Sequence, residues 1–584
     1  MNSFSSLKRV AYYLKPYWVK SLLVVLFTIA TVAFNTALPY VTGLPTTEIM
    51  KNISNDDPVN LAYVKKTIVM ILVIGVGYAA SQLLAGLLMT EVVQTAMKDL
   101  RHDIEHKINR LPVSYFDTNQ QGNVLSRVTN DVDALSGALQ QSLIQLFNAF
   151  LSIVLSVSMM FYINIYMALI AVMMIPASAL ISRFIIMKSQ KYFNKMQNSL
   201  GDMNGFAQES MTGYNVIKLF GYEKRAAAGF NKANMALKEN GFKANLISGL
   251  MMPLVQMTSY LTYAVIAVVG SLNVLGGVIA VGQLQAFIQY IWQVSQPMGN
   301  ITQLSAVLQS ASASARRVFE ILDEKDEKLN ETDVELPADV HGDVEFDHVH
   351  FSYKASEPLI EDLNFSVKAG QTVAVVGPTG AGKTTLINLL MRFYDVDKGA
   401  IKIDGIDTQK MNRSDVRSLF GMVLQDAWLY EGTIADNIRF GKLDATDYEI
   451  VDAANTANVD HFIRTMPEGY EMMINAEGDN VSLGQKQLLT IARAVISDPE
   501  ILILDEATSS VDTRLESLIQ KAMDKVMEGR TSFVIAHRLS TIRDADLILV
   551  MNHGSIVEQG NHQSLLAKDG FYAKLYNSQF ANQE

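Results

Sequence analysis

The run Gly377-Pro378-Thr379-Gly380-Ala381-Gly382-Lys383-Thr384-Thr385 holds three glycines, a lysine and three hydroxyls and fits the spacing G-x-x-x-x-G-K-[ST]. Glycines let a backbone come close to phosphate oxygens, and successive N–H groups at a helix start supply positive potential. Lys383 can reach β- and γ-phosphates, and the Thr384 hydroxyl can ligate Mg²⁺. A second set of groups follows at domain-scale distance. The apolar run Ile501-Leu502-Ile503-Leu504 ends in Asp505 and Glu506. Asp505 at a strand end can hold Mg²⁺ through water, and Glu506 can polarise an attacking water as general base. His537 ends another apolar run and can contact a γ-phosphate; an isolated strand-end His is more often simple packing. Gln425, in GMVLQDAWLYEGT, is equally ambiguous alone. Tyr353, upstream of the loop, can stack on adenine, although a strand aromatic is more often core.

These groups need particular elements to hold them. The phosphate loop requires a strand before it and a helix after it. TVAVV at 372–376 reads as a short buried strand, and 385–392 as the first turns of a helix. This half of the chain is therefore expected to be an α/β P-loop NTPase domain that binds a nucleoside triphosphate.

The other half has a different composition. Residues 1–320 hold 24 Lys+Arg and 15 Asp+Glu, a net +9; the remainder holds 24 and 44, a net −20. A basic half followed by an acidic half argues for two environments rather than for a nucleic-acid binder. No charge occurs in 21–47, 67–90, 134–182 or 244–315. A spanning helix needs about 20 apolar residues. The windows therefore predict six spans, at about 21–43, 67–89, 138–161, 165–186, 246–271 and 279–301. Basic residues Lys8, Arg9, Lys15 and Lys20 precede the first span, and Arg183, Lys188, Lys191 and Lys195 follow the fourth. That asymmetry places both termini in the cytoplasm. Residues 7–18 mix basic and aromatic types and suit an interfacial entry helix. Two long polar segments keep helical character, which predicts that spans continue into the cytoplasm and return through short helices near 112–117 and 212–222. The N-terminus lacks the pattern of a cleaved signal peptide. The absence of Cys excludes disulfides and thiolate metal sites.

Asn480-Val481-Ser482-Leu483-Gly484-Gln485-Lys486-Gln487-Leu488 resembles the L-S-G-G-Q signature of ABC proteins followed by [RK]-Q. With it, the whole chain resembles an exporter-type ABC half-transporter: an α-helical six-span transmembrane domain (1–320), a linker (321–342) and an ABC ATPase domain (343–584). The resemblance implies ATP and Mg²⁺ as cofactors. It makes Tyr353 the adenine-stacking residue, Gln425 the Q-loop glutamine near metal and water, and Asp505 and Glu506 the Walker B pair. It makes Asp512 part of the D-loop, His537 the switch histidine, and the tips near 112–117 and 212–222 coupling helices. In this family the signature of one ATPase domain faces the phosphate loop of another. Ser482, Gly484 and Gln485 would then meet a γ-phosphate across a dimer interface.

Two departures bear on that interface. Leu483 stands where the family usually has Gly, and Val481 where it usually has Leu. A bulky Leu483 should weaken the sandwich to which this chain donates its signature, while Glu506 is intact. The combination resembles one half of a heterodimeric exporter, whose partner supplies an intact signature and a weakened carboxylate; a homodimer that tolerates Leu is the alternative. The spans hold many Met, Phe and Tyr and the amides Asn35, Asn148, Gln256, Gln285 and Gln289, but almost no ionisable residue; Glu91 sits near a span end. That pattern disfavours a highly charged solute. The resemblance implies export of hydrophobic compounds from a bacterial plasma membrane, with multidrug efflux first and lipid flipping second. A channel or an importer of the same fold is a further alternative. Membrane lipids are expected partners, and nucleic acid is not.

Overall fold

A computed structural model describes residues 3–327, 334, 336–337, 339–354, 356–424, 427–475, 478, 480–505, 513–536 and 539–579. The chain divides into two compact units, one of Met1–Leu111 with Asn119–Lys325, the other of Pro112–Thr118 with Asp326–Glu584.

The first unit is helical. In chain order its elements are α1 (Ser3–Leu14), α2 (Trp18–Ser54) and α3 (Leu61–Ile108); then, after α4 (Val113–Thr118), which groups with the second unit, come α5 (Gln121–Ser126), a π-helical turn Arg127–Asp131 and α6 (Val132–Ile163). There follow α7 (Ile165–Val172), α8 (Met174–Thr212), α9 (Tyr214–Leu219), α10 (Glu223–Gly249), α11 (Met251–Leu275) and α12 (Val281–Leu322). The short helices α4 and α9 fall where the sequence predicts cytoplasmic tips. Asn60 caps α3 by accepting a hydrogen bond from the Tyr63 N–H at 3.1 Å.

Among the described residues, five helical stretches are long and apolar enough to cross a membrane: Lys8–Ser54, Leu61–Ile108, Gln121–Ile163, Ile165–Thr212 and Glu223–Leu275. Their apolar side chains are largely outward, as with Leu72, Val76 and Leu180. Apolar surface on that scale is suited to lipid rather than water. The sixth expected span, 279–301, falls on α12, which is helical but falls short of the others in hydropathy. Gln283, Gln285, Gln289, Gln293 and Gln296 account for the deficit.

Those glutamines are partly spent on holding α12 to α2. Gln285 accepts from the Thr46 hydroxyl at 2.8 Å, and the Gln293 amide donates to the Asn35 carbonyl at 2.9 Å. The buried Tyr290 hydroxyl donates to the Thr36 carbonyl at 2.8 Å. A methyl placed on Gly43 would lie 2.2 Å from the Gly282 carbonyl oxygen, so the two backbones meet directly. Small residues at such a crossing are how helices associate where lipid supplies no hydrophobic drive.

The second unit is α/β. A six-stranded sheet has the order Ser555–Gly560, Leu547–Asn552, Thr372–Val376, Thr531–Ile535, Ile501–Asp505, Phe420–Val423. All its pairings are parallel except that of Ser555–Gly560 with Leu547–Asn552. An antiparallel four-stranded sheet, Ile360–Val367, Val344–Phe351, Lys398–Ile403 and Ile406–Asp407, packs its apolar face into the core next to it. The parallel strands are continuous apolar runs because both faces are covered: Val373, Ala374 and Val375, like Ile501 to Leu504, are buried.

Candidate ATP site

The strand Thr372–Val376 delivers the chain into the phosphate loop, and Gly382 opens the helix α13 (Lys383–Leu390) with φ of 100°. Only a residue without Cβ adopts that angle without strain. At the start of the loop, a methyl on Gly377 would lie 2.3 Å from the Met551 carbonyl oxygen of the adjacent strand. The far side is pinned by the Gly554 N–H, which donates to the Ala381 carbonyl at 2.9 Å. Gly380, at φ of 80°, has no atom within 4 Å of an added Cβ. The loop is thus clamped at both ends and open at its centre, the shape of a cradle.

Lys383 turns its ammonium back to the carbonyls of Gly377 at 2.7 Å and Pro378 at 3.2 Å. Burial lowers its pKa from the usual lysine value, and the nearby Asp505 carboxylate partly offsets this. The cation is therefore held in a setting where an anion would stabilise it.

A cavity of about 430 Å³ lies over the loop, lined by Thr379 to Thr385 together with Leu359, Asp505 and Ile535. Asp505 reaches it because its strand runs parallel to Thr372–Val376 two strands over, so both present their carboxyl ends at the same edge. Ligands of open parallel sheets bind at that edge. Tyr353 joins through its hydroxyl, which donates to the Thr385 hydroxyl at 3.2 Å, and its ring is about half exposed. The ring stands edge-on to Phe351 and Tyr394, with centroids 4.9 and 5.0 Å away.

The structure thus brings together Tyr353, Gly377–Thr385 and Asp505. It does not bring Ser482, Gly484 or Gln485 to this cavity. Ser482 caps the helix Leu483–Ile496 instead: its N–H donates to the Gln485 side chain at 2.8 Å, and its hydroxyl accepts from the Gln485 N–H at 3.4 Å. Gly484 is buried, and Leu483 is 47% exposed in the first turn. Gln425, Glu506, Asp512 and His537 lie outside the described residues.

One residue enters that sequence reasoning missed, Tyr394, and it meets Asp117 in the tip expected near 112–117. The Tyr394 hydroxyl donates to the Asp117 carboxylate on α4. Burial, then that carboxylate, raises the tyrosine's pKa. No local pattern marks the pairing, since 277 positions separate the two residues.

The comparisons with known proteins agree with this geometry. The family model for the ABC transporter transmembrane region matches residues 21–298, and that for the ABC transporter matches 360–509. A fatty acid ABC transporter ATP-binding/permease protein of Mycobacterium bovis is 47% identical over 524 residues, 90% of this chain and 83% of the relative. An ATP-dependent lipid A-core flippase of Legionella pneumophila is 35% identical, covering 98% of this chain and 96% of the relative. The chain belongs to the ABC transporter family. Among solved structures, a bacterial Atm1-family ABC exporter with ATP bound superimposes with a TM-score of 0.75 at 28% identity, over 95% of this chain and 98% of that one. The protein is an ATP-driven ABC exporter: a helical transmembrane domain followed by an ABC ATPase domain, with ATP hydrolysis coupled to transport. ABC exporters act as dimers, and this chain is a membrane protein with a cytoplasmic ATPase.

Proposed function

We propose that the protein exports hydrophobic and amphipathic compounds across a bacterial plasma membrane as one half of a dimer, hydrolysing ATP with Glu506. The observation that carries the reading is the convergence of the glycine cradle, Lys383 and Asp505 on one cavity, in a chain whose other half is helices with outward apolar faces. The donor set fits a metal-bound nucleotide. Thr384 and Asp505, with Gln425, are the residues that would hold Mg²⁺; the ion would offset charge on the phosphate oxygens. Tyr353 offers an aromatic face to adenine. Lys383 and the loop N–H groups stabilise the transferring phosphoryl charge. Glu506 takes a proton from the attacking water, and His537 orients that water. Ser482, Gly484 and Gln485, at a capped helix start away from the chain's own cradle, serve the cradle of a second chain. Asp512, in the D-loop, would serve the same interface.

ATP-driven closure would then favour the outward-facing spans by differential affinity for two states. Lipid flipping is the second reading, supported by relatives whose names specify a fatty acid transporter and a lipid A-core flippase. The test is ATP hydrolysis and dye accumulation in sealed proteoliposomes, with Glu506→Gln beside the wild type. The variant is expected to bind ATP and lose turnover, and the dye to accumulate against its gradient. Equal turnover in the variant would remove Glu506 as base, and dye that only equilibrates would replace the pump by a channel.

A further inference from the structure

The first unit holds a cavity of about 390 Å³ between α2, α3, α6 and α12. Six amide side chains line it: Asn35, Gln82, Gln145, Asn148, Gln293 and Gln296. Among the described residues no Lys, Arg, Asp or Glu does. Asn148 sits at the middle of the predicted span 138–161 and Asn35 within one turn of the middle of 21–43, so the cavity lies at hydrocarbon depth. Polar groups at that depth are costly unless they serve a partner. One of the six is committed to packing: Gln293 donates to the Asn35 carbonyl and accepts from Ser156 at 3.0 Å. Asn148 is not. Its side-chain oxygen is buried and has no hydrogen-bond partner among the described residues. An orphaned acceptor of this kind is costly unless something donates to it.

We propose that this cavity binds the head group of an amphiphile, and that the head is uncharged and rich in hydroxyls, as in a glycosylated or polyol-headed lipid. The proposal rests on the exporter reading and names its substrate class. Each amide offers one acceptor and two donors, and each hydroxyl offers both roles, so the two chemistries saturate one another. A phosphate or carboxylate would leave water for a site that holds no cation, and an unpaired ion at that depth is far more costly than a neutral head. On the helices carrying the amides, Leu83 is 63% exposed and Phe150 68% exposed. They provide apolar surface beside the cavity for acyl tails.

The test uses full-length protein in phosphatidylcholine nanodiscs and two fluorescent lipids with the same tails, a glucosyl diacylglycerol and a phosphatidylglycerol. The glucosyl lipid is expected to bind at least about tenfold more tightly, the ratio a single satisfied buried group supplies. Asn148→Leu should remove that preference while ATP binding is unchanged. Gln82→Leu, at a more exposed position, repeats the test if the first variant misfolds. Asn148→Arg should reverse the preference toward phosphatidylglycerol. Equal or tighter binding of phosphatidylglycerol by the wild type, or glucosyl-lipid affinity unchanged in a folded Asn148→Leu, overturns the proposal. Specific binding in nanodiscs with no ATP-driven movement of the glucosyl lipid in sealed proteoliposomes upholds the site and removes the proposed export of amphipathic compounds instead.

Discussion

At the residue scale, the phosphate loop was legible because its chemistry is local. Nine consecutive residues carry the cradle, the cation and the hydroxyls, and the structure folds them as the spacing requires. What the spacing did not give is the state of Lys383. Burial lowers its pKa below the ordinary lysine value of 10.5, against the opposing pull of Asp505. The sign follows from the charged form being disfavoured. As pH rises, the cation is lost before 10.5, so affinity for anionic phosphates weakens earlier than for a free lysine. The unfolded chain holds that proton up to 10.5, so this group makes the nucleotide-free domain more stable as pH climbs through that window. Removing the carboxylate should lower the pKa further. ATP affinity measured without Mg²⁺ against pH is expected to fall at a lower pH in Asp505→Asn than in the wild type. Identical profiles would mean that Lys383 is not coupled to Asp505 in this way.

At the element scale, the charge-free windows predict six spans alike, and among the described residues five helical stretches are long and apolar enough to cross a membrane while α12 falls short. The glutamines of α12 are what depress it, and two of them, Gln285 and Gln293, are used across the α2 contact. Hydropathy alone reads α12 as a weak span; the contacts show a helix that buries Ala286, Phe287, Tyr290, Ile291 and Val294 and ties Gln285 and Gln293 to α2. The short helix α4 tells the converse story. Its place was legible from the need to close two long helices, but its partner was not, because Asp117 and Tyr394 are joined by folding alone. The link runs from the Thr385 hydroxyl through Tyr353 and the edge-on Tyr394 ring to the Asp117 carboxylate. Tyr394→Phe keeps the ring contacts and deletes the last bond. A hydrogen bond to a charged acceptor contributes about 1.5–3 kcal/mol. If that bond carries the state of the nucleotide cradle to α4, the variant should bind ATP normally and lose the stimulation of ATPase by transported substrate. Stimulation equal to the wild type, measured in nanodiscs, would reduce the bond to a local tether.

At the scale of the whole molecule, one chain offers a cradle and a signature that do not share a cavity. Two chains are needed to bring a signature to each cradle, and the identity of the second chain turns on Leu483. Its side chain is 47% exposed in the first turn of the signature helix, where family members place glycine. In a homodimer that apolar group stands at both composite sites; in a pair with a different subunit it stands at one. Leu483→Gly costs the helix less than about 1 kcal/mol, since an exposed first-turn position is tolerant of glycine. It also removes the obstruction at every site the chain can form with itself. The purified chain alone is therefore expected to turn over ATP slowly, and Leu483→Gly to raise that rate at least about tenfold, a barrier change of about 1.4 kcal/mol. The gain should vanish when Glu506→Gln is added, because the released site still needs its base. Robust, Glu506-dependent turnover in the unmodified chain, with no gain from glycine, would make the protein a working homodimer and remove the need for a different partner.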